Sequence, residues 1–139
     1  MPDTVPPSNR AMAVAASALK AQQSRMRIIA ENIANAQSTA LTPGGEPYRR
    51  QTPVFQAREV DGALGVALAE VRPDQSDFRL DYDPSHPAAN AQGYVQRPNV
   101  DTLIEAMDMR EAQRAYEANL NVIETARAMD ARTLDIIKR

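Results

Sequence analysis

His86 is the single histidine of the chain, and it stands in a proline-rich segment with Asp81 and Asp83 close by. An imidazole and two carboxylates could share a proton or hold a divalent ion. Either task needs further convergent partners, and the sequence supplies none at a helical or strand spacing. The expected state of His86 is a loop side chain, exposed or bonded to backbone. Glu105, Asp108, Glu111, Glu117 and Glu124 form a second acidic series. Most of them have an arginine three residues away, as in Glu111–Arg114 and Glu124–Arg127, which is ordinary support on a helix surface. A di-metal bundle would pair such glutamates with Glu-x-x-His motifs, and this stretch has no histidine. Gly44-Gly45 has no preceding strand and no following Gly-Lys-Ser/Thr, so it reads as a turn and not as a phosphate loop. The expectation is therefore no enzyme, with no catalytic, cofactor-binding or metal residues and no cofactor.

Two pairs of asparagines carry more information. Asn32 and Asn35 lie three apart near the end of one proline-free run, and Asn119 and Asn121 lie within another. Asparagine is a poor residue for a helix interior. It either marks fraying or makes a hydrogen bond that fixes register. Asn119 falls inside an apolar arc, where an unpaired amide would be costly, so a registering contact is expected there.

The elements that must position these residues follow from proline and glycine. Of 139 residues, 10 are proline and 5 glycine, and they cluster. Residues 1–7 hold three prolines and read as an irregular leader. Residues 8–37 hold neither residue type, and Ser8 or Asn9 is placed to cap a helix. Met12, Leu19, Met26 and Ile33 recur there at heptad spacing. A second row of Ala15, Ile29 and Ala36 is interrupted by Gln22. Residues 99–139 form a second uninterrupted run after Pro98. Asn99, Asp101 or Thr102 can cap it, and Thr102 with Glu105 fits a capping box. At ~1.5 Å rise the two helices would reach about 43 and 55 Å.

Between them, residues 38–52 and 83–98 read as irregular, and residues 53–82 as two or three short strands. Phe78, Leu80 and Tyr82 alternate with Arg79 and Asp81 in the last of these. Such strands are marginal alone. The fold class is thus mainly α: two long terminal helices packed as a coiled-coil hairpin, with a small β-hairpin or extended middle region. The rod core is assigned to 8–37 with 99–139, and the loops and small β region to 38–98.

The second helix is apolar over a broad arc. One stripe runs through Ile104, Ala115, Ala118, Val122, Ala126, Met129 and Ile136, and an adjoining one through Met109, Ala112, Tyr116, Leu120, Ile123, Leu134 and Ile137. One partner helix covers one seam. We expect Met12, Leu19, Met26, Ile29 and Ile33 to pack against Val122 and Met129 within the subunit. Asn32, Asn35, Tyr116, Asn119, Leu120, Ile123, Leu134 and Ile137 are expected at a subunit interface, because the short, polar middle third cannot cover a second stripe. Aromatics make up only 4% of the chain, so a large self-contained core is not expected. The formal net charge of −2 gives no basic footprint for nucleic acid. Cysteine is absent, which excludes disulfides and thiolate chemistry. No cleaved signal and no apolar run of membrane-spanning length are visible.

Ser24–Ser38, SRMRIIAENIANAQS, resembles the N-terminal signature of flagellar basal-body rod and hook proteins. TPGGEPYRRQ at 42–51 and DPSHPAANAQGYVQRPNVD at 83–101 are similar to the proximal-rod members of that family, as are Arg114–Asn119 and Thr133–Ile136. The resemblance spans nearly the whole chain, with four motifs in order, the two pieces of the C-terminal helix counting as one. It implies a structural subunit that leaves the cell through the flagellar type III export apparatus without a cleaved signal. It further implies helical assembly, with copies of itself and other rod proteins, into a hollow periplasmic drive shaft of the basal body. That shaft transmits torque and conducts exported subunits, with no nucleic-acid partner and no direct membrane span. A soluble helical adaptor or chaperone of a secretion system is the competing reading; it explains the helices but not the ordered motifs.

Overall fold

The computed structural model describes residues 6–138. Two long helices, α1 (Pro7–Ala34) and α2 (Thr102–Ile137), enclose in sequence four strands: β1 (Gln51–Val60), β2 (Ala63–Pro73), β3 (Arg79–Tyr82) and β4 (Tyr94–Arg97). The strands form two separate two-stranded sheets, β1 with β2 and β3 with β4. The fold is mainly α with a small two-hairpin β region, as expected. Of the leader 1–7, residues 1–5 lie outside the described residues, as does Arg139.

Each boundary has a local cause. α1 starts at Pro7, ahead of the expected caps Ser8 and Asn9. The Pro6 carbonyl accepts from the N–H groups of Asn9 and Arg10 at 3.0 and 3.1 Å. Proline suits the first helical position, since its fixed φ is helical and its missing N–H would be unpaired there in any case. α1 ends at Ala34, short of the expected Gln37. There the Asn35 Nδ2 donates to the Glu31 carbonyl at 2.8 Å, alongside its own backbone N–H, and the Ser38 Oγ donates to the Asn35 carbonyl. Side chains that compete for helical carbonyls close a helix.

α2 is capped by Asp101. Its Oδ1 accepts from the N–H groups of Leu103 at 3.0 Å and Ile104 at 3.4 Å. The expected Thr102–Glu105 capping box does not form, because Glu105 is drawn away to Arg50. β1 turns into β2 through Asp61 and Gly62, whose φ angles are 50° and 79°. Two consecutive positive φ values make the tight turn that matches strand twist. β4 corrects the expectation of an irregular 83–98: Tyr94–Arg97 pairs antiparallel with β3, Arg79 opposite Arg97 and Tyr82 opposite Tyr94.

Contacts gather in two compact units. Among the described residues, the first joins 6–26, 54–70 and 110–138, and the second joins 27–53 and 71–109. In the first unit the helices run antiparallel. Arg25 pairs with Glu111 at 3.5 Å, while Pro7, Ser8 and Ala11 share a groove with Val122, Ala126 and Met129. The core of this unit is built from Ala15, Ala21, Ala112 and Ala126. Small side chains there let the backbones approach closely. Ser17 ties α1 to the β1–β2 hairpin: its Oγ accepts from the Val66 N–H at 3.2 Å and donates to the Val14 carbonyl.

In the second unit Ile28, Ile29, Ala36, Ala88, Val95 and Val100 are buried together with two polar side chains, Asn32 and Glu105.

Candidate assembly surfaces and a buried polar frame

The segment that follows α1 supplies partners to both buried polar side chains of the second unit, fully to Asn32 and to one carboxylate oxygen of Glu105. Asn32 is 1% exposed. Its Oδ1 accepts from the Tyr48 hydroxyl at 2.6 Å and from the Gln51 N–H at 2.9 Å, and its Nδ2 donates to the Gln51 carbonyl at 2.8 Å. This corrects the expectation that Asn32 lies at a subunit interface: its amide is used inside the chain. Asn35 likewise bonds its own helix. Burial, then the nearby charges of Glu31 and Glu105, raise the Tyr48 phenol above its ordinary 10.0.

Arg50 is the hub of a second network. Its guanidinium meets Glu105 through Nε, Asp74 at 3.2 Å and Asp108 at 3.8 Å. Glu105 is 1% exposed, and Arg50 is the ion-pair partner of this buried side chain. Burial alone would lower the Arg50 pKa, but the hydrogen bonds and charges of Glu105 and Asp74 raise it. Asn99 Oδ1 accepts from the Arg50 N–H at 2.8 Å, and Asn99 Nδ2 donates to the carbonyls of Asp74 and Ser76. Arg49 donates to the same two carbonyls and lies 4.1 Å over the Phe78 ring. The Asp74 carboxyl sits below its ordinary 3.8, first because the Ser76 N–H bonds it and then through the Ser76 hydroxyl and Arg50. These residues frame the start of α2. The sequence reading missed them, although Arg49-Arg50 and Asn99 carry the signal: bases and an amide beside turn-forming residues.

The candidate chemical residues are dispersed. His86 Nδ1 accepts from the Ala88 N–H at 3.0 Å, a local loop contact. The Asp83 carboxylate is bonded by the Ser85 hydroxyl. Among the described residues, no three His, Cys, Asp or Glu side chains gather as a metal group.

The helix faces sort differently from the expected stripes. On α1, Ile29 is buried, Met12, Leu19 and Met26 are half-buried, and Ile33 is exposed. The most buried heptad row of α2 in the first unit is Ala112, Asn119, Ala126, flanked by half-buried Tyr116 and Ile123. Asn119 Nδ2 donates to the Ala115 carbonyl at 2.8 Å, which satisfies it on its own helix. Val122 and Met129, expected inside the subunit, are 46% and 60% exposed. They rim an apolar groove of about 460 Å³ opposite Pro7 and Ala11. The reason is size: the row that lies against α1 must be small, so the larger Val122 and Met129 are left outside. Leu120, Leu134, Ile136 and Ile137 are exposed as well. At the start of α2, in the second unit, so are Leu103, Ile104 and Met107. An apolar row of Val122, Met129 and Ile136 at seven-residue spacing is what a further helix packs on.

Comparison with known proteins gives these surfaces a context. A family model described as flagella basal body rod protein matches residues 12–40. One described as flagellar basal body rod FlgEFG protein C-terminal matches residues 91–136. The flagellar basal-body rod protein FlgC of Agrobacterium fabrum is 48% identical over 135 residues, covering 95% of this chain and 96% of its own. The FlgC of Escherichia coli O6:H1 is 42% identical over 125 residues, with 88% and 92% covered. That of Bacillus subtilis is 39% identical over 142 residues, with 90% and 95% covered.

Proposed function

The chain belongs to the FlgC family of flagellar basal-body rod proteins, and on that premise we propose that it is a structural subunit of the proximal rod whose exposed helix rows are completed by neighbouring subunits. It is a component of the basal body and assembles with its own copies and with other rod proteins. The observation that carries the assembly mode is the row Val122, Met129, Ile136, the last of these 74% exposed. Burying a side chain of this size stabilises by about 1.5–3 kcal/mol. A contact of this kind repeated from subunit to subunit, without closing on itself, builds a helical shaft.

The groove of Val122 and Met129 receives an apolar side chain of a neighbour, while Leu120 and Leu134, roughly 120–160° away around α2, are offered to a different one. The rod lies in the periplasm and transmits torque. The chain reaches it through the flagellar export apparatus without a cleaved signal. No described helix is long and apolar enough to cross a membrane, which suits a shaft that stands clear of the bilayer. A thin alanine core lets the chain unfold for passage at modest cost.

Met129→Asp tests the reading. The variant should be made at normal levels and fold as the native chain does, yet be missing from isolated basal bodies and leave cells non-motile. Normal incorporation and swimming would sink the role assigned to this row.

A further inference from the structure

Arg79 and Arg97 are directly opposed on the antiparallel β3–β4 pair. Like charges so placed repel across the ladder. Arg97 is partly offset by Asp81 at 3.5 Å and also reaches the Gln37 carbonyl at 3.5 Å. Arg79 donates to the Val100 carbonyl, a neutral acceptor, and among the described residues it forms no ion pair. Both arginines line one cleft of about 270 Å³ with Gln37 and Asp81. Two guanidiniums and one carboxylate leave a single positive charge. A monoanion cancels it, whereas a phosphate group of about −1.5 to −2 overshoots. The planar guanidinium fork also matches a carboxylate. With 18 acidic against 16 basic side chains, a copy of this chain carries carboxylates in excess.

We infer that the Arg79–Arg97 cleft receives an aspartate or glutamate side chain from a second copy of this chain. The inference rests on the rod reading for its setting, and it names a contact that the apolar rows of α2 do not include. The incoming carboxylate relieves the repulsion between the two arginines, so the site is strained when empty and settled when filled.

Zero-length cross-linking tests it. In Arg79→Lys the introduced ammonium gives a proton to solvent, and the free amine attacks a carbodiimide-activated carboxylate to form an amide, the carbodiimide leaving as its urea with the carboxylate oxygen. Native lysines are confined to Lys20 and Lys138, so Arg79→Ala supplies the background. Isolated basal bodies carrying Arg79→Lys should give a covalent dimer of the chain, with the peptide bearing position 79 joined to an acidic peptide. The Arg79→Ala background should lack that product. Gln37→Glu, which puts a carboxylate into the cleft from the same chain, should cut the dimer yield several-fold.

A link to Asp81 of the same chain with no dimer would overturn the inference, as would a link to a different protein. If Arg79→Lys fails to enter basal bodies, the same reaction on Arg97→Lys decides between these outcomes. Absence of the native chain from basal bodies would overturn the rod reading instead. The reaction on the concentrated purified Arg79→Lys chain would then decide the cleft by itself.

Discussion

Asn32 pairs with the main chain of Gln51 as a neighbouring strand would, accepting from its N–H at 2.9 Å and donating to its carbonyl at 2.8 Å. One side chain thereby fixes the end of α1 to the start of β1. Asn32→Ala strands the Gln51 N–H, the Gln51 carbonyl and the Tyr48 hydroxyl. A stranded buried group costs about 1–3 kcal/mol, with relaxation and water recovering part. We expect a loss of about 3 kcal/mol in urea unfolding. A loss below about 0.5 kcal/mol would show that these groups find other partners.

Arg50 and Glu105 form an unequal pair, the glutamate almost wholly buried and the arginine about a quarter exposed. Arg50→Ala leaves a buried carboxylate unpaired, which costs about 3–5 kcal/mol. Replacing both members, Arg50→Met with Glu105→Leu, removes the charge together with its partner and should cost far less than Arg50→Ala alone. A double-mutant cycle in urea measures the coupling. Strict additivity of the two single losses would contradict the pairing.

Asp74 and Tyr48, with oppositely shifted pKa values, each link stability to pH. The Asp74 carboxyl has a lowered folded pKa, so its contribution is present above its unfolded value of 3.8 and is lost as pH falls through the lower folded value. Asp74→Asn should flatten the acid limb of a stability profile below about pH 4. The Tyr48 phenol is shifted the other way. Its contribution is full below 10.0 and lost as pH rises through the higher folded value. Tyr48→Phe should flatten the alkaline limb above about pH 10 and lower stability at neutral pH, since Asn32 loses a donor. Unchanged limbs in thermal melts across the range would exclude both assignments.

Gly93 has a φ of +86°, and a Cβ built there would lie 2.9 Å from Cε2 of Tyr82 and 3.1 Å from Cγ of Pro84. Tyr82 in turn meets Tyr94 edge to face, with centroids 5.2 Å apart. Gly93→Ala therefore strains the backbone and displaces an aromatic ring at once. We expect a loss of about 1–3 kcal/mol and altered near-ultraviolet dichroism from the tyrosine pair. Gly44→Ala is the control. It has positive φ but meets only the Asn90 Cβ at 3.7 Å, so its loss should be smaller.

How much of this was legible differs from element to element. The two helices were, because Pro and Gly are missing from both runs and the flanks are dense in them. The β4 strand was not: its four residues sit between Gly93 and Pro98, and pairing with β3 overrides that local signal. The inner row of α2 was hidden for a different reason. Ala112, Asn119 and Ala126 look weaker as a seam than Val122 and Met129, yet close helix approach selects small residues over large ones. Arg50 and Asn99 were invisible as partners, since 49 residues separate them and only the fold brings them together.

The contrast between Ala112 and Val122 turns that last lesson into a test. Ala112 is fully buried beside the Arg25–Glu111 pair, so Ala112→Leu must force the helices apart. Overpacking of this kind costs about 1–3 kcal/mol. Val122 is nearly half exposed, and Val122→Asp should change the stability of the isolated chain by no more than about 0.5 kcal/mol. In basal bodies the order should reverse. On the proposed assembly, Val122→Asp places a charge in the row assigned to a neighbour and should block incorporation, whereas Ala112→Leu should incorporate at reduced efficiency wherever it folds. Finding both variants equally damaging to the isolated chain would mean that Val122 belongs to the subunit's own core. The outer row would then shrink to Met129 and Ile136.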